Sequence, residues 1–365
     1  MTGIKDVAAK VHVSISTVSY VMSGKRSIGD DTKRAVLDAA KELGYLPRKA
    51  TPDVMAFLTG RPAAGDGTDP YSSSPASAPG AHGRTKVLAL SSPVHGYTDY
   101  SNYAMFFFGL ASRAKRYGYD ILLLMHEYGD QELVRVTRNG MVDGILLLDV
   151  LMHDSRAEVA SMLDVPVVSV GYPSNSESVY SVDLDFERMG REAVEKAAAL
   201  GHTRVLIIGT NEFAYDDGSN YLIRFRDAAI KHGSDLGVKV TFMASTGYGM
   251  ADVRLLLDSA FANDDEITAI ICQTNPTHVN NLLIALQERG LRVPQDASLM
   301  AACTQGVHQL SQGVDEMPMD PHAVCMRAID IMMEILDGRR HDVGAVELLP
   351  PKYLAHGTMG PRRAG

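Results

Sequence analysis

Apolar residues recur at helical spacing over the first 45 positions, whereas from residue 86 onward they gather into short runs separated by amphipathic stretches. Ile4, Val7, Ala8 and Val11 share one helical face, and Val13 closes a short turn against them. Ser14 is a natural N-cap for a second helix whose apolar stripe is Ile15, Val18 and either Val21 or Met22. Between those positions stand Ser16, Thr17, Ser19 and Tyr20. A third helix is predicted from Asp30 to about Leu43, burying Val36, Leu37, Ala40 and Leu43, with Gly44, Tyr45 and Pro47 after it. Two short helices around a tight turn match a helix-turn-helix, whose second helix enters a DNA major groove with its first turn nearest the bases and its hydroxyls reaching phosphates. A hairpin that merely caps a larger domain is the other reading of the first two helices taken alone.

The later runs, Lys86 to Leu90, Asp120 to Met125, Gly144 to Leu148, Pro166 to Val170, Arg204 to Ile208, Lys239 to Met243 and Thr268 to Cys272, are buried-strand candidates. Each precedes a helix or a loop rich in Gly, Pro, Asp or Asn, and Leu348-Leu349 reads as a last strand. Repeated strand-helix units predict parallel sheets covered on both faces, in two lobes with a cleft at the carboxyl ends of the strands. The fold class expected is therefore a small all-α helix-turn-helix head joined to an α/β body of two parallel-sheet lobes. Between the two regimes, 17 of the 22 residues from 62 to 83 are Gly, Pro, Ser or Ala. A flexible linker over 62–85 follows, spanning roughly 25 Å as a random coil.

Charge sharpens this division. Residues 1–50 carry nine Lys or Arg against five Asp or Glu, while the whole chain has a net charge of -9, which leaves -13 on the remainder. A basic head on an acidic body confines DNA attraction to the head and makes it salt-dependent. Cys272, Cys303 and Cys325 are far apart and outside any Cys-x-x-Cys or Cys/His cluster, as expected of reduced thiols. Met1 is not followed by a charged-then-apolar leader, and no apolar run approaches 18 residues, so a cytoplasmic protein with no membrane contact is expected. Phosphate-binding, dinucleotide-binding and nucleophile-elbow glycine motifs are missing, and the twelve histidines lack metal-ligand spacing. Neither an enzyme nor a cofactor is expected.

The head resembles that of the lactose-repressor (LacI/GalR) family of bacterial transcription regulators. The similarity rests on Ile4-Lys5-Asp6-Val7-Ala8, Val13-Ser14, Ser16-Thr17-Val18-Ser19, the Gly24-Lys25 turn, Thr32 and Ala39-Ala40-Lys41-Glu42-Leu43-Gly44-Tyr45-Leu46-Pro47. It extends through nearly the whole chain and is strong again at Ala285-Leu286-Gln287-Glu288-Arg289-Gly290-Leu291-Arg292-Val293-Pro294-Gln295-Asp296. By resemblance, residues 1–50 are the DNA-binding domain, 51–61 a hinge helix, 86–357 a two-lobed, periplasmic-binding-protein-like effector-binding and dimerisation domain, and 358–365 a tail. The resemblance places Ile15, Ser16 and Tyr20 at base-reading positions, with Ser14, Thr17, Ser19, Lys25 and Arg26 as further DNA contacts. It matches Leu58 to a leucine wedged into the minor groove. Many relatives carry arginine where Tyr20 stands; arginine grips a guanine edge with two hydrogen bonds and tyrosine cannot, so the DNA sequence read should differ from theirs.

In the cleft the resemblance implies contacts from Tyr103, Arg226, Asn275 and Cys303, and Asp149, which closes the third strand, is a further candidate. Each has a second reading: Tyr103 as a rim aromatic beside Phe106, Phe107 and Phe108, Asp149 as a strand end facing water, Arg226 as an exposed helix arginine. Cys303, read as a redox switch, has the small buried thiol as its default. Where relatives carry Asn-Asp this chain reads Asn275-Pro276, and where they carry Gly-Phe-Asp it reads Ala301-Ala302-Cys303. Two acceptors of sugar hydroxyls are thereby lost. Either the effector is less hydroxylated than a sugar, or a partner protein, or nothing, has taken over the sensor role. The expected partners are double-stranded operator DNA, a second copy of the chain in a homodimer, and a sugar-like or other small metabolite.

Overall fold

The computed structural model describes residues 4–23, 28–43, 45, 47, 54, 57–58, 84–93, 100–126, 129–304, 310 and 313–362. The chain divides into two compact units, Met1–Ala81 and His82–Gly365. The linker expected from 62 lies outside the described residues up to position 83, as do Lys25 and Arg26.

In the first unit, helices α1 (Ile4–Lys10), α2 (Ile15–Ser23) and α3 (Asp30–Glu42) enclose a small core of Val7, Val18, Val36 and Ala40, all fully buried, with Val21, Met22 and Leu37 around them. Both Val21 and Met22 are interior, so the stripe of α2 is wider than the alternatives predicted. Ile15 does not belong to it: its side chain is 45% exposed, because the first turn of α2 projects beyond the bundle. The turn between α1 and α2 is set by His12 in the left-handed region (φ 54) and by the Val13 N–H donating to the Ala8 carbonyl at 3.1 Å, a helix-ending pattern more often built on glycine. Val54 and Leu58, one helical turn apart, are buried against this core. The apolar side chain of Leu58 is thereby shielded from water by the head.

The second unit contains β1 (Val87–Pro93), α4 (Tyr100–Arg116), β2 (Asp120–His126), α5 (Asp130–Arg138), β3 (Gly144–Leu147), α6 (Ser155–Val159), β4 (Val167–Val170) and β5 (Tyr180–Leu184), followed by α7 (Phe186–Ala199), β6 (Arg204–Asn211), α8 (Glu212–Asp216), α9 (Asn220–Asp235) and β7 (Lys239–Ser245). Next come α10 (Met250–Asn263), β8 (Ala269–Cys272), α11 (Pro276–Glu288), β9 (Ser298–Thr304), β10 (Asp315–Pro318), α12 (Pro321–Leu336) and β11 (Val346–Leu349). The strands form two sheets, β11-β5-β4-β3-β1-β2 and β10-β9-β8-β6-β7, and every neighbouring pair runs parallel. The seven predicted strands and the last one are present. β5, β9 and β10 are additional: β5 (Tyr-Ser-Val-Asp-Leu) and β10 (Asp-Glu-Met-Pro) form no continuous apolar run, whereas β9 (Ser-Leu-Met-Ala-Ala-Cys-Thr) carries a five-residue apolar run that the sequence reading passed over.

Among the described residues the chain passes between the lobes three times: from β5 to β6, from β10 to β11, and from β11 to the C-terminal segment, where Leu354 bridges Glu316. A fourth link is a short antiparallel seam, with the Met152 N–H donating to the Gly218 carbonyl at 2.7 Å and the Asn220 N–H to the Val150 carbonyl at 3.2 Å. α7 and α9 press together through Gly190, where a Cβ would stand 2.4 Å from the Phe225 carbonyl oxygen. The stretch expected as a tail is instead fastened down as far as Arg362. Thr358 is buried and bonded to Asp315 and Leu299, His202 and Ser298 hold the Gly360 backbone, and the Arg362 N–H donates to the Leu200 carbonyl.

Two outcomes follow from this packing. Gly190→Ala forces apart two helix backbones that have no flexible side chain to yield, at a cost of about 3 kcal/mol; thermal unfolding of the full chain should show a Tm lowered by several degrees. The Asp315 carboxylate, which burial alone would raise, accepts hydrogen bonds from Tyr353 and from the backbone N–H groups of His356, Gly357 and Thr358, and these hold its pKa below the ordinary carboxylate range. A carboxyl whose folded pKa is depressed adds stability above its unfolded pKa of about 4 and loses it as pH falls through the folded value. Asp315→Asn should therefore lower Tm at pH 7, and the gap from the unsubstituted protein should narrow below about pH 4.

Candidate DNA-reading face and effector cleft

On the head, the buried side of α2 (Val18, Val21, Met22) fixes what its other side presents: Ile15, Ser16 and Ser19 are exposed, and Thr17 and Tyr20 are half-buried along the same edge. Ser14 caps the helix, its hydroxyl accepting from the Thr17 N–H at 3.1 Å and pairing with the Thr17 hydroxyl at 2.8 Å. The start of α2 is thereby held rigid, with an apolar side chain, two small hydroxyls and one phenol facing outward. Those are groups that meet thymine methyls, phosphates and base edges.

In the body, a cavity of about 530 Å³ lies where the carboxyl ends of both sheets converge. Its lining includes Asp149 after β3, Asp183 in β5, Thr210 in β6, the run Gln273-Thr274-Asn275 after β8, and Cys303 in β9. Tyr103 and Phe106 of α4 and Phe186, Tyr221 and Tyr248 add aromatic surface. Four of the five residues expected in the cleft are there: Tyr103, Asp149, Asn275 and Cys303. Arg226 is not. Its Nε donates to Asp227 at 2.8 Å, and its guanidinium stands 5.3 Å from the rings of both Tyr215 and Phe242, which give it a carboxylate and two aromatic faces without any ligand. The neighbouring Arg224 is occupied as well, with Glu187 at 2.8 Å, the Tyr172 carbonyl at 3.0 Å and Asn220 Oδ1 at 3.0 Å.

Several polar residues at the cleft are already spoken for. Asn275 caps α11, accepting from the His278 N–H at 3.0 Å. Gln273 accepts from the Tyr215 hydroxyl at 2.8 Å and donates to the Leu222 carbonyl at 3.2 Å. Asn220 donates to the Tyr172 carbonyl at 2.7 Å, Thr210 pairs with Tyr248, and Asp320 holds the Ala323 N–H and Lys352. Burial pushes the Cys303 thiol far up, so it is not a thiolate poised for redox chemistry. Asp149 and Cys303 both have left-handed backbones (φ 54), rare for residues with a Cβ and often found at ligand sites.

The cleft wall is held from behind by a buried ion pair. Arg156 Nη2 meets Asp154 Oδ2 at 2.7 Å, and the same guanidinium donates to the carbonyls of Ser91, Leu148 and Asp149. Burial alone would raise the Asp154 carboxyl; its hydrogen bond and charge contact with Arg156 outweigh that and lower it. Sequence reading missed this pair along with Asp183 and Gln273. A polar triplet directly after the apolar run Ile270–Cys272 was the signal for Gln273, whereas Asp183 sits in a strand too polar to stand out.

Residues 3–48 match the family model of bacterial regulatory proteins, lacI family, and residues 194–358 match that of the periplasmic binding protein-like domain, more than half of the chain together. The chain is 26% identical to the HTH-type transcriptional regulator RegA of Clostridium saccharobutylicum, over 82% of this chain and 81% of that one. It is 23% identical to the HTH-type transcriptional repressor PurR of Vibrio cholerae over 96% of each. Among solved structures, a complex of the transcriptional regulator CelR with cellobiose superposes with a TM-score of 0.61 at 18% identity, covering 98% of this chain and all of that one. A LacI-family regulator from Silicibacter pomeroyi gives 0.67, also at 18%, covering 99% and all of that chain. The chain thus carries a lacI-family helix-turn-helix domain and a periplasmic-binding-protein-like domain, the two parts of a transcription regulator, and the relatives it matches are themselves transcription regulators.

Proposed function

We propose that the protein is a repressor that binds a pseudo-palindromic operator as a homodimer through residues 1–50, and that occupancy of the body's cleft modulates this binding. The observation that carries the reading is the outward edge of α2, where Ile15, Ser16, Ser19 and Tyr20 stand on a helix fixed from behind by Val18, Val21 and Met22 and at its start by Ser14. One head offers too little surface for a specific site at physiological salt, and two heads related by symmetry read two half-sites. A dimer also accounts for an apolar patch on the first lobe: Met105 (57% exposed) and Phe108 (74%) of α4 beside Leu123 and Met125 of the sheet-edge strand β2. Such a patch is costly to leave in water. Because 62–85 is rich in Gly, Pro, Ser and Ala, the effector's signal reaches the head through subunit pairing more than through a taut hinge.

The effector differs from a typical sugar. Pro276 and Cys303 stand where relatives carry aspartates and supply no carboxylate acceptor, Asn275 is engaged as a helix cap, and Arg226 faces Asp227. CelR, in complex with cellobiose, is similar to this chain in fold only and does not transfer its ligand.

Selection of genomic fragments by the full-length protein at physiological salt, with a copy lacking residues 1–50 as control, tests the reading. Enrichment of one two-fold-symmetric sequence by the full-length protein alone is the expected result, and enrichment of asymmetric sites, or none, refutes it. Within the selected site, Tyr20→Arg should shift preference toward G·C at the position Tyr20 faces, by about 1–3 kcal/mol in competition binding. Unchanged base preference would remove Tyr20 from the reading surface.

A further inference from the structure

We propose that the cleft binds a small organic cation, an amine or guanidinium compound with an apolar or aromatic body, whose charge is received by Asp183. This rests on the cleft's being the effector site and names the chemistry of that site.

The first support is what the cavity lacks. None of its described lining residues is Lys, Arg or His, while three are aspartates: Asp149, Asp183 and Asp320. A phosphate or carboxylate ligand would enter such a site without a counter-charge, at a cost of several kcal/mol.

The second is how little of the polar lining is available to a neutral polyol. A sugar needs acceptors and donors spaced around its ring edge, and Gln273, Asn275, Asn220, Thr210 and Asp320 are each already hydrogen-bonded within the protein.

Asp183 offers an acceptor. It is 7% exposed, lines the cavity, and its one hydrogen bond among the described residues is accepted by Oδ1 from the N–H of Leu184 at 2.9 Å, which leaves Oδ2 for a ligand. The nearest cation, Arg224, lowers its pKa but has its guanidinium on Glu187, Tyr172 and Asn220. Burial prevails and pushes the carboxyl up to about 8, as expected of a carboxylate lacking a counter-charge. Around it, Phe186 and Tyr221 (ring centroids 5.4 Å apart) with Tyr103, Phe106 and Tyr248 present faces that stack on an apolar body and attract a cation.

Thermal unfolding of the full-length protein with matched probes tests the proposal: phenethylamine and agmatine as cations, phenylethanol and glucose as neutral compounds, phenylacetate and a hexose phosphate as anions. The cations should raise Tm in a concentration-dependent manner, as any ligand of the native state does. Asp183→Asn, which keeps the side-chain shape and the acceptor for Leu184, should fold with an unchanged or higher Tm and bind the cations about tenfold or more weakly. Stabilisation by neutral or anionic probes alone overturns the cationic assignment and leaves the cleft as an effector site. Equal stabilisation of Asp183→Asn by the cations overturns it as well. No response to any probe overturns it and counts against the effector reading too.

Discussion

The geometry of the body depends on one buried guanidinium. Arg156 ties the ends of β1 and β3 together by binding the carbonyls of Ser91, Leu148 and Asp149, and Asp154 neutralises it in a site nearly closed to water. Asp154 Oδ2 also accepts from the Leu151 N–H, so the pair fixes residues 148–151. Those residues make the seam to the second lobe, through Val150 to Asn220 and Met152 to Gly218. A buried ion pair adds little net stability, since desolvating both charges offsets most of their attraction. Removing one partner would leave a charge stranded at the rim of the cavity. The pair is therefore best understood as a positioning device: it sets the strand ends of one lobe in register with the other, and the cleft exists because they stay so.

A rim held this firmly also sustains strained backbone. Asp149 and Cys303 occupy comparable places, at the carboxyl ends of a strand in each sheet, and both adopt a conformation that costs of order 1–3 kcal/mol for a residue with a side chain. Glycine would avoid the cost but would bring neither a carboxylate nor a thiol to the cavity. The strain is thus placed where side chains must turn inward, and the hydrogen bonds behind the rim, Arg156 to the Asp149 carbonyl and Gln273 beside the Cys303 sulfur, oppose its relaxation.

What was legible in the sequence follows from which signals are local. Helical spacing located the three helices of the head, because Val7, Val18 and Val36 meet at one point and their periodicity survives in one dimension. Apolar runs revealed the strands buried on both faces. They did not reveal β5 or β10, whose polar residues break the apolar pattern: Asp315 is satisfied by residues 353–358, far along the chain, and Asp183, among the described residues, by the N–H of Leu184. The direction of Arg226 was equally hidden, since it depends on Tyr215 and Phe242, which are 11 and 16 positions away in the chain. Alignment by resemblance finds the residue, whereas only packing decides where its charge goes.

The distribution of charge joins these pieces. A head of +4 on a remainder of -13 means that the body repels the phosphates that the head attracts. Such repulsion opposes non-specific coating of DNA and confines the attraction to the head. The same acidic excess reaches into the cleft, where burial pushes the Asp183 carboxyl up to about 8, so that a cation received there would displace a proton and leave the body's net charge unchanged. Within the body, the seam at Leu151–Ser219 joins the cavity wall of one lobe to that of the other, because the residues flanking it, Val150 and Asn220, themselves line the cavity.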